Sequence, residues 1–412
     1  MTEIIATSNA PRTQPEPPAL PLDRECPYRP SAEYDELRDR GPVGRVRLFD
    51  GTLAWVVTDH ADARALLAHP GISSNRSHPN FPIAFPAAAT LLRRQRKDSS
   101  GNPFAALIGV DAPEHGRQRR MLIPSFTVKR IAQLRPSIQQ IVDQRLDDML
   151  RHGSPADLVA SFALPVPSMV ICALLGVPYA DHEFFEKQAR LRLDPERGVE
   201  AMDRLEDYLD RLIRDKQTTP GDGLLDDLIA GPMRTGDLDR AQLVSFALIL
   251  LIAGHDTTAN MIALGTLYLL EHPDRLAELR ADPDLIPAAV EELLRFVSLV
   301  PALSRVATTD IEIGGQLIRA GEGVMVLLGA ANHDPDLTDH PEDLDLHRPD
   351  RRHIAFGYGI HQCLGQNLAR TELQIAFHAL LDRIPTLRLA GPAERSPHRS
   401  AIAGITALPV AW

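Results

Sequence analysis

A mainly α-helical fold with a small β region is the fold class the 412-residue sequence predicts. Apolar residues recur at spacings of three and four through Ile131–Leu150, Leu158–Leu175, Asp203–Lys216, Pro287–Val297 and the stretch after Cys363, the period of an amphipathic helix. The apolar run Leu243–Leu270 is longer than any other. Short β-rich runs occur in only two places, near residue 50 and between residues 299 and 328, and glycines punctuate both.

In chain order, residues 9–30 carry prolines at 11, 15, 17, 18, 21, 27 and 30 and few large apolar residues, which predicts an extended, partly disordered arm over 1–30. Everything from 31 to 412 is expected to form one domain, although length alone suggests two or three. Val43–Leu48 and Leu53–Thr58 read as a hairpin turning at Asp50-Gly51, and Ala61–Ala68 as a short helix after Asp59 or His60. Pro70 to Val110 is a long irregular stretch with a basic cluster at Arg93, Arg94, Arg96 and Lys97; such loops are usually functional or disordered. Pro113 suits a helix start. His115 and Arg119 then share a face, either as paired donors for an anionic group or as an exposed basic turn.

Leu164–Cys172 carries two prolines at a helix start, with Cys172 as a structural thiol, and Gly221–Gly236 reads as a turn-rich linker. Asp239 and Gln242 form a capping box opening a helix to about Leu270, some ~48 Å long at ~1.5 Å per residue. Its middle, Ala253-Gly254-His255-Asp256-Thr257-Thr258, sets an acid and an alcohol inside an apolar rod. That argues against a membrane span and marks either a bend or a site. Leu299–Ile313 and Gln316–Leu328 supply the β region, turning at Gly314-Gly315 and Gly321–Gly323, and a polar meander fills Ala330–His353.

The formal net charge of −11 disfavours a general nucleic-acid role. Three widely spaced cysteines, Cys26, Cys172 and Cys363, argue against disulfides and four-thiolate metal sites. No signal-peptide pattern is seen, so a soluble, cytoplasmic protein is expected. Cys363 stands out, because it ends a loop with Gly357 and Gly359 and precedes a helix. Unpaired N–H groups and the dipole there are expected to favour the thiolate, as a metal-held thiol requires.

The run Phe356-Gly357-Tyr358-Gly359-Ile360-His361-Gln362-Cys363-Leu364-Gly365 resembles the haem-binding signature of the cytochromes P-450. Ser73-Ser74-Asn75-Arg76 and Leu164–Cys172 are similar to family 105, an actinobacterial group that hydroxylates macrolides, other secondary metabolites and drug-like molecules. The resemblance runs from about Pro42 to the C-terminus and departs from the pattern at Leu344, where an aromatic is usual. It implies haem b with Cys363 as the thiolate ligand, in a loop that includes Phe356, Gly357 and Gly365. It implies that His115, Arg119, Arg305 and His361 bind the propionates, that Ala253 and Gly254 lie close to the haem, and that Asp256 and Thr257 relay protons. Glu292, Arg295 and Arg348 would brace the cysteine loop. Phe81, Phe85, Leu250, Leu303 and Ile402 would line the substrate pocket, and His78 could reach the open iron position.

The implied reaction is monooxygenation of a C–H bond in a bulky apolar molecule, using O2 and two electrons. Without a second Gly-rich dinucleotide motif, the electrons are expected from a separate ferredoxin and its reductase, docking near Arg117, Arg120 or Arg352 on a monomeric enzyme. A peroxygenase, a non-catalytic haem sensor, and a zinc site of His353, His361 and Cys363 are the other readings.

Overall fold

The computed structural model describes residues 16–21, 23–86, 96–97, 99–101, 103–191, 194, 196–349, 352–395, 402 and 404–412. The helices are α1 Glu33–Asp39, α2 His60–Ala68, α3 Glu114–Leu122, α4 Val128–His152, α5 Pro165–Leu175, α6 His182–Leu191 and α7 Gly198–Thr218. They continue with α8 Leu224–Leu228, α9 Arg240–Glu271, α10 Pro273–Ala281, α11 Ile286–Val297, α12 Leu328–Asn332 and α13 Gln366–Arg383.

The 32-residue helix α9 organises the rest. Asp239 accepts from Gln242 N at 2.8 Å and Gln242 Oε1 accepts from Asp239 N at 3.0 Å, so the capping box is present. Buried residues occur all round the helix, as expected where neighbours cover every side; α5, α7, α11 and α13 pack on it. By length and composition α9 could cross a membrane, but 61% of its apolar window is buried inside the protein, as in a core helix.

The hairpin at Asp50-Gly51 is formed by β1 (Val43–Arg47) and β2 (Leu53–Val57), with Asp50 Oδ1 accepting from Thr52 N at 3.0 Å. These strands join β3 (Ile72–Ser73) and two strands from the 299–328 region, Ala302–Ala307 and Gly323–Leu327, in one sheet. The 323–327 strand lies parallel to β2 and antiparallel to the 302–307 strand, which β3 flanks. Alternation along the 302–307 strand puts Leu303 and Arg305 on the same face.

Some expectations need correction. The supposed linker 221–236 contains α8 and a following helical turn, Ile229–Met233, held by the buried pair Lys216–Asp226 at 2.6 Å. The 158–175 pattern is a wide helical turn, Val159–Ala163, followed by α5 with Pro165 in its first turn. The arm, where described, is fixed, and it turns between residues 25 and 29. Leu20 N–H and Arg47 N–H bond Arg47 and Pro18 carbonyls at 2.9 and 2.7 Å, and Arg24 donates to Val297 and Ser298 carbonyls at 2.7 Å each. Residues 1–15, like Arg93 and Arg94 of the basic cluster, lie outside the described residues.

Candidate active site

The Cys363 loop is folded by its own backbone. Gly357 N–H donates to Ile354 O and Cys363 N–H to Phe356 O, each at 2.8 Å, and Gln362 N–H donates to Gly359 O at 3.0 Å. Gly357 and Gly359 have φ of +69° and +75°, where a side chain is strained, and a Cβ on Gly359 would stand 2.4 Å from Leu67 O of α2. Gly365 caps α13, and its N–H reaches the cysteine sulfur.

The expectation of a thiol activated by the helix end needs correction. Burial raises the Cys363 pKa and outweighs the Gly365 N–H and the Arg119 and Arg370 charges, which act the other way. Desolvation of a buried thiolate exceeds what one N–H and two cations return. A metal ion on the sulfur would reverse that balance, because a coordinated thiol is deprotonated.

Two bracing clusters lie beside the loop. In the first, Arg295 of α11 grips Glu292 through Nε and Nη2 at 2.8 Å each and gives its remaining protons to Asn332, Pro341 and Asp343 carbonyls at 2.9–3.0 Å. Arg348 Nε donates to Glu292 Oε1 at 2.9 Å, and its other nitrogens bond Thr338 Oγ1 and the Asp339, His340 and Asp343 carbonyls. These charges hold the 338–345 meander rather than the cysteine loop itself. Among the described residues they reach the loop through Asn332, whose amide oxygen accepts from Ile354 N at 2.8 Å.

The brace that touches the loop was not read from the sequence. Glu291 accepts from Arg370 Nε at 2.6 Å and meets His353 Nε2 at 3.2 Å, while the Arg370 guanidinium lies 4.6 Å over the Phe356 ring. Burial alone would raise Glu291; the His353 and Arg370 contacts outweigh it and hold the carboxyl at about 2. The one sequence signal was Arg370 at i,i+4 from Gln366, which it bonds at 3.0 Å.

Above the loop is a cavity of about 560 Å³. Its lining includes Phe356, Gly357, His361, Cys363 and Gly365 from the cysteine region, Leu250, Ala253, Gly254 and Thr257 from α9, and Phe81, Phe85, Leu303 and Arg305 from the walls. Ile402 and His78 are not in this lining. Ile402 packs on the main core, and His78 Nδ1 accepts from Asn80 N at 3.2 Å. Asp256 also stays off the lining, its carboxylate 3.7 Å from His255 Nε2. Helix α9 runs unbroken through this stretch. A Cβ on Gly254 would lie 3.1 Å from Ile171 Cδ1, so its small size serves the approach of α5. Thr257 Oγ1 donates to Ala253 O at 2.8 Å.

One end of the cavity is basic. His115 and His361 rings stand 4.0 Å apart, and Arg119 and Arg305 line the same space. Burial, with His115 and Arg305 nearby, pushes His361 down to about 3; burial, with Arg76, pushes Arg305 down to about 10. Neither arginine has an ion-pair partner among the described residues, and the buried His361 Nδ1 has no hydrogen-bond partner. Buried donors without acceptors are costly unless a ligand completes them. A flat apolar group with carboxylates at one edge and a metal for the thiol would do so. Haem has those features, and these residues fit it. The zinc alternative is not supported: His353 and His361 are engaged by Glu291 and Ser74, and neither joins Cys363 among the clustered ligand groups of the described residues.

Glu372 of α13 also lines the cavity. It is buried, Oε2 lacks a partner, and burial raises its pKa well above the usual range. Its sequence signal was an acid in phase with the apolar stripe of Leu368 and Ala376. Arg117, by contrast, is tied to Glu114 and to Asp237 O at 2.6–2.8 Å, and so is not free to face a docking partner as expected.

A thiol loop, a basic edge and a helix carrying Thr257 around one apolar cavity define a haem-thiolate oxygenase. A cytochrome P450 family model matches residues 191–386. Pentalenic acid synthase of Streptomyces avermitilis is 55% identical over 401 residues, covering 96% of this chain and 98% of its own. The crystal structure of cytochrome P450 MoxA from Nonomuraea recticatena, of family 105, matches with a TM-score of 0.88 and 48% identity over 96% of this chain and 98% of that one. Mycinamicin VIII C21 methyl hydroxylase from Micromonospora griseorubida, bound to mycinamicin VIII, matches with a TM-score of 0.87 and 40% identity over 96% and 100%. The chain therefore belongs to the cytochrome P450 family, and within it to family 105. It is a haem-dependent monooxygenase that takes a small-molecule substrate, O2 and electrons from redox partners.

Proposed function

We propose that this enzyme is one haem-binding domain that hydroxylates a C–H bond of a bulky, largely apolar small molecule of macrolide or polyketide type, with electrons from a ferredoxin. The observation that carries the reading is Cys363 lining the same apolar cavity as Thr257 and the uncompensated basic edge. The hydroxylase bound to mycinamicin VIII supports the substrate class, because its fold and its coverage of this chain match so fully.

Haem held by Cys363 Sγ supplies the dioxygen activation. His361, His115, Arg119 and Arg305 hold its carboxylates and lose their own desolvation cost in doing so. Arg370 over Phe356 fixes the ring beside the thiolate. Thr257 gives its hydroxyl proton to Ala253 O, which leaves its oxygen able to accept a hydrogen bond from the cavity side. Asp256, one residue before Thr257 and beside His255, is assigned the proton-delivery role by the family resemblance. The low-polarity walls, Phe81, Phe85, Leu250 and Leu303, exclude water and seat the substrate.

On the cysteine side Ile360 is 54% exposed, and the exposed Arg120, Lys129 and Arg352 offer charge to an acidic ferredoxin. None of the three cysteines is in a disulfide, which suits a reducing cytoplasm, and the enzyme is read as a monomer.

The test is the reduced, CO-bound spectrum of the wild type and of Cys363→Ala. A red-shifted Soret band present only in the wild type is expected; its absence there would sink the reading. Turnover with ferredoxin, reductase and NAD(P)H, rather than with peroxide alone, separates the monooxygenase from the peroxygenase.

A further inference from the structure

The residues leading into the wall segment Arg76–Phe85, Ser73 and Ser74, are joined to the basic edge by hydrogen bonds that the functions assigned so far leave unused. Ser73 and Ser74, at the start of the long irregular stretch, are buried. The Asp111 carboxylate, at the end of that stretch, accepts from Ser73 Oγ at 2.5 Å and from Ser74 N at 2.8 Å. The Asp111 carbonyl accepts from His115 N at 2.8 Å, so the same residue sets the first turn of α3. Ser74 Oγ stands 2.9 Å from His361 Nε2, and the His361 ring lies 4.0 Å from His115. The other foot of the stretch is tied to α3 as well: Leu107 N–H donates to Gln118 Oε1 at 2.7 Å, and Gln118 Nε2 to Ala105 O at 3.1 Å.

Ser74 has one hydroxyl proton and three candidate acceptors. The Val110 and Asp111 oxygens are at 3.2 Å, and His361 Nε2 is nearer at 2.9 Å. Donation to Nε2 leaves the proton of the neutral ring on Nδ1, the atom that is buried without a partner. That tautomer presents a donor to an anionic carboxylate. The reverse arrangement would present a lone pair and repel it.

We propose that Asp111 and Ser74 are positioning residues that act as a clasp, holding the cavity wall beyond residue 74 and the two edge histidines as one hydrogen-bonded unit. The carboxylate edge of the cofactor is thereby linked to the wall that bounds the substrate. Loss of the clasp loosens both together, and bulky ligands feel it more than small ones. The inference rests on the haem reading given above.

The test uses haem-loaded wild type, Ser74→Ala, Ser74→Thr and Asp111→Ala. Three quantities are followed: haem transfer to an apomyoglobin scavenger, deuterium uptake in peptides covering 75–86 and 104–110, and spectral titration with imidazole and with a triaryl-substituted imidazole. In Ser74→Ala the red-shifted CO band is retained, haem loss quickens about tenfold, as for one lost buried hydrogen bond, and uptake over 75–86 rises. Affinity falls for the bulky azole but not for imidazole. Ser74→Thr, which keeps the hydroxyl, stays near wild type, and Asp111→Ala exceeds Ser74→Ala in every readout. A normal CO band with unchanged haem loss and uptake in Ser74→Ala overturns the clasp, as does a change in only one of the two. A wild type without the red-shifted band overturns the haem reading instead.

Discussion

Two clusters of charged and polar side chains differ in the kind of hydrogen bonds they make. In the Glu292–Arg295–Arg348 cluster each arginine nitrogen has an acceptor, and Glu292 also takes Asp345 N–H at 3.0 Å. At the edge formed by His115, Arg119, Arg305 and His361, the buried His361 Nδ1 has no partner and no carboxylate is in ion-pair contact with either arginine among the described residues, although Arg305 Nη1 donates to Ser304 O at 2.8 Å and Asp111 lies near enough to favour its charge. A completed network has nothing left to bind with, so its work is to hold the chain. An incomplete one stores a cost that a ligand removes. Satisfaction of donors, rather than burial or charge, separates scaffold from site here.

The largest effect is expected from breaking the completed cluster. Glu292→Ala strands two buried guanidinium groups, a loss of about 3–5 kcal/mol. Little soluble protein should survive expression, with or without added haem, and the soluble yield with its circular dichroism melt is the measurement. A variant that melts within a few degrees of wild type would show that the cluster is not the scaffold.

At the edge the sign should reverse. Arg305→Leu removes a largely desolvated charge with no ion-pair contact among the described residues, so the haem-free protein should be no less stable than wild type, with a gain of up to about 1 kcal/mol. Haem retention should fall at least tenfold, read by transfer to a scavenger. Equal losses of haem-free stability and haem retention would contradict the contrast between the clusters.

Acid sharpens the same contrast through two windows. The folded pKa of His361 is about 3, below the ordinary 6.5, so in the unfolded chain the ring takes its proton first. Stability of the haem-free protein therefore falls as pH drops from about 6.5 towards 3. Glu291, held at about 2 against an ordinary 4.5, contributes stability above about 4.5 that is lost as pH falls through 2. Denaturant midpoints against pH should show His361→Phe flattening only the upper window and Glu291→Gln altering only the lower.

What the sequence showed and what it hid follow the same physics. Helix periods, the capping box at Asp239 and the turn glycines act within a few residues, and they were legible. So was the thiol loop, because Gly359 has room for nothing larger than hydrogen. The direct brace Glu291–His353–Arg370 was hidden because it joins positions 62 and 79 residues apart in chain through ordinary-looking charges. Ile402 was assigned by resemblance to a cavity that the structure lines with other side chains. The sign of the Cys363 shift was misread because a helix-end argument counts donors but not desolvation.

The smallest effect concerns Glu372, which belongs to neither cluster. Unlike Glu291, it has no cation beside it among the described residues, and burial raises its pKa. Because folding raises its pKa, the unfolded chain gives up this proton first, so its burial favours the unfolded chain increasingly as pH rises above about 4.5 and has no such effect below. Glu372→Gln keeps the shape and cannot ionise. The haem-free variant should match wild type near pH 4 and gain about 1 kcal/mol by pH 8, a rise of roughly 2 °C in melting temperature. A gain that is the same at both pH values would mean that the effect comes from packing, not from the proton.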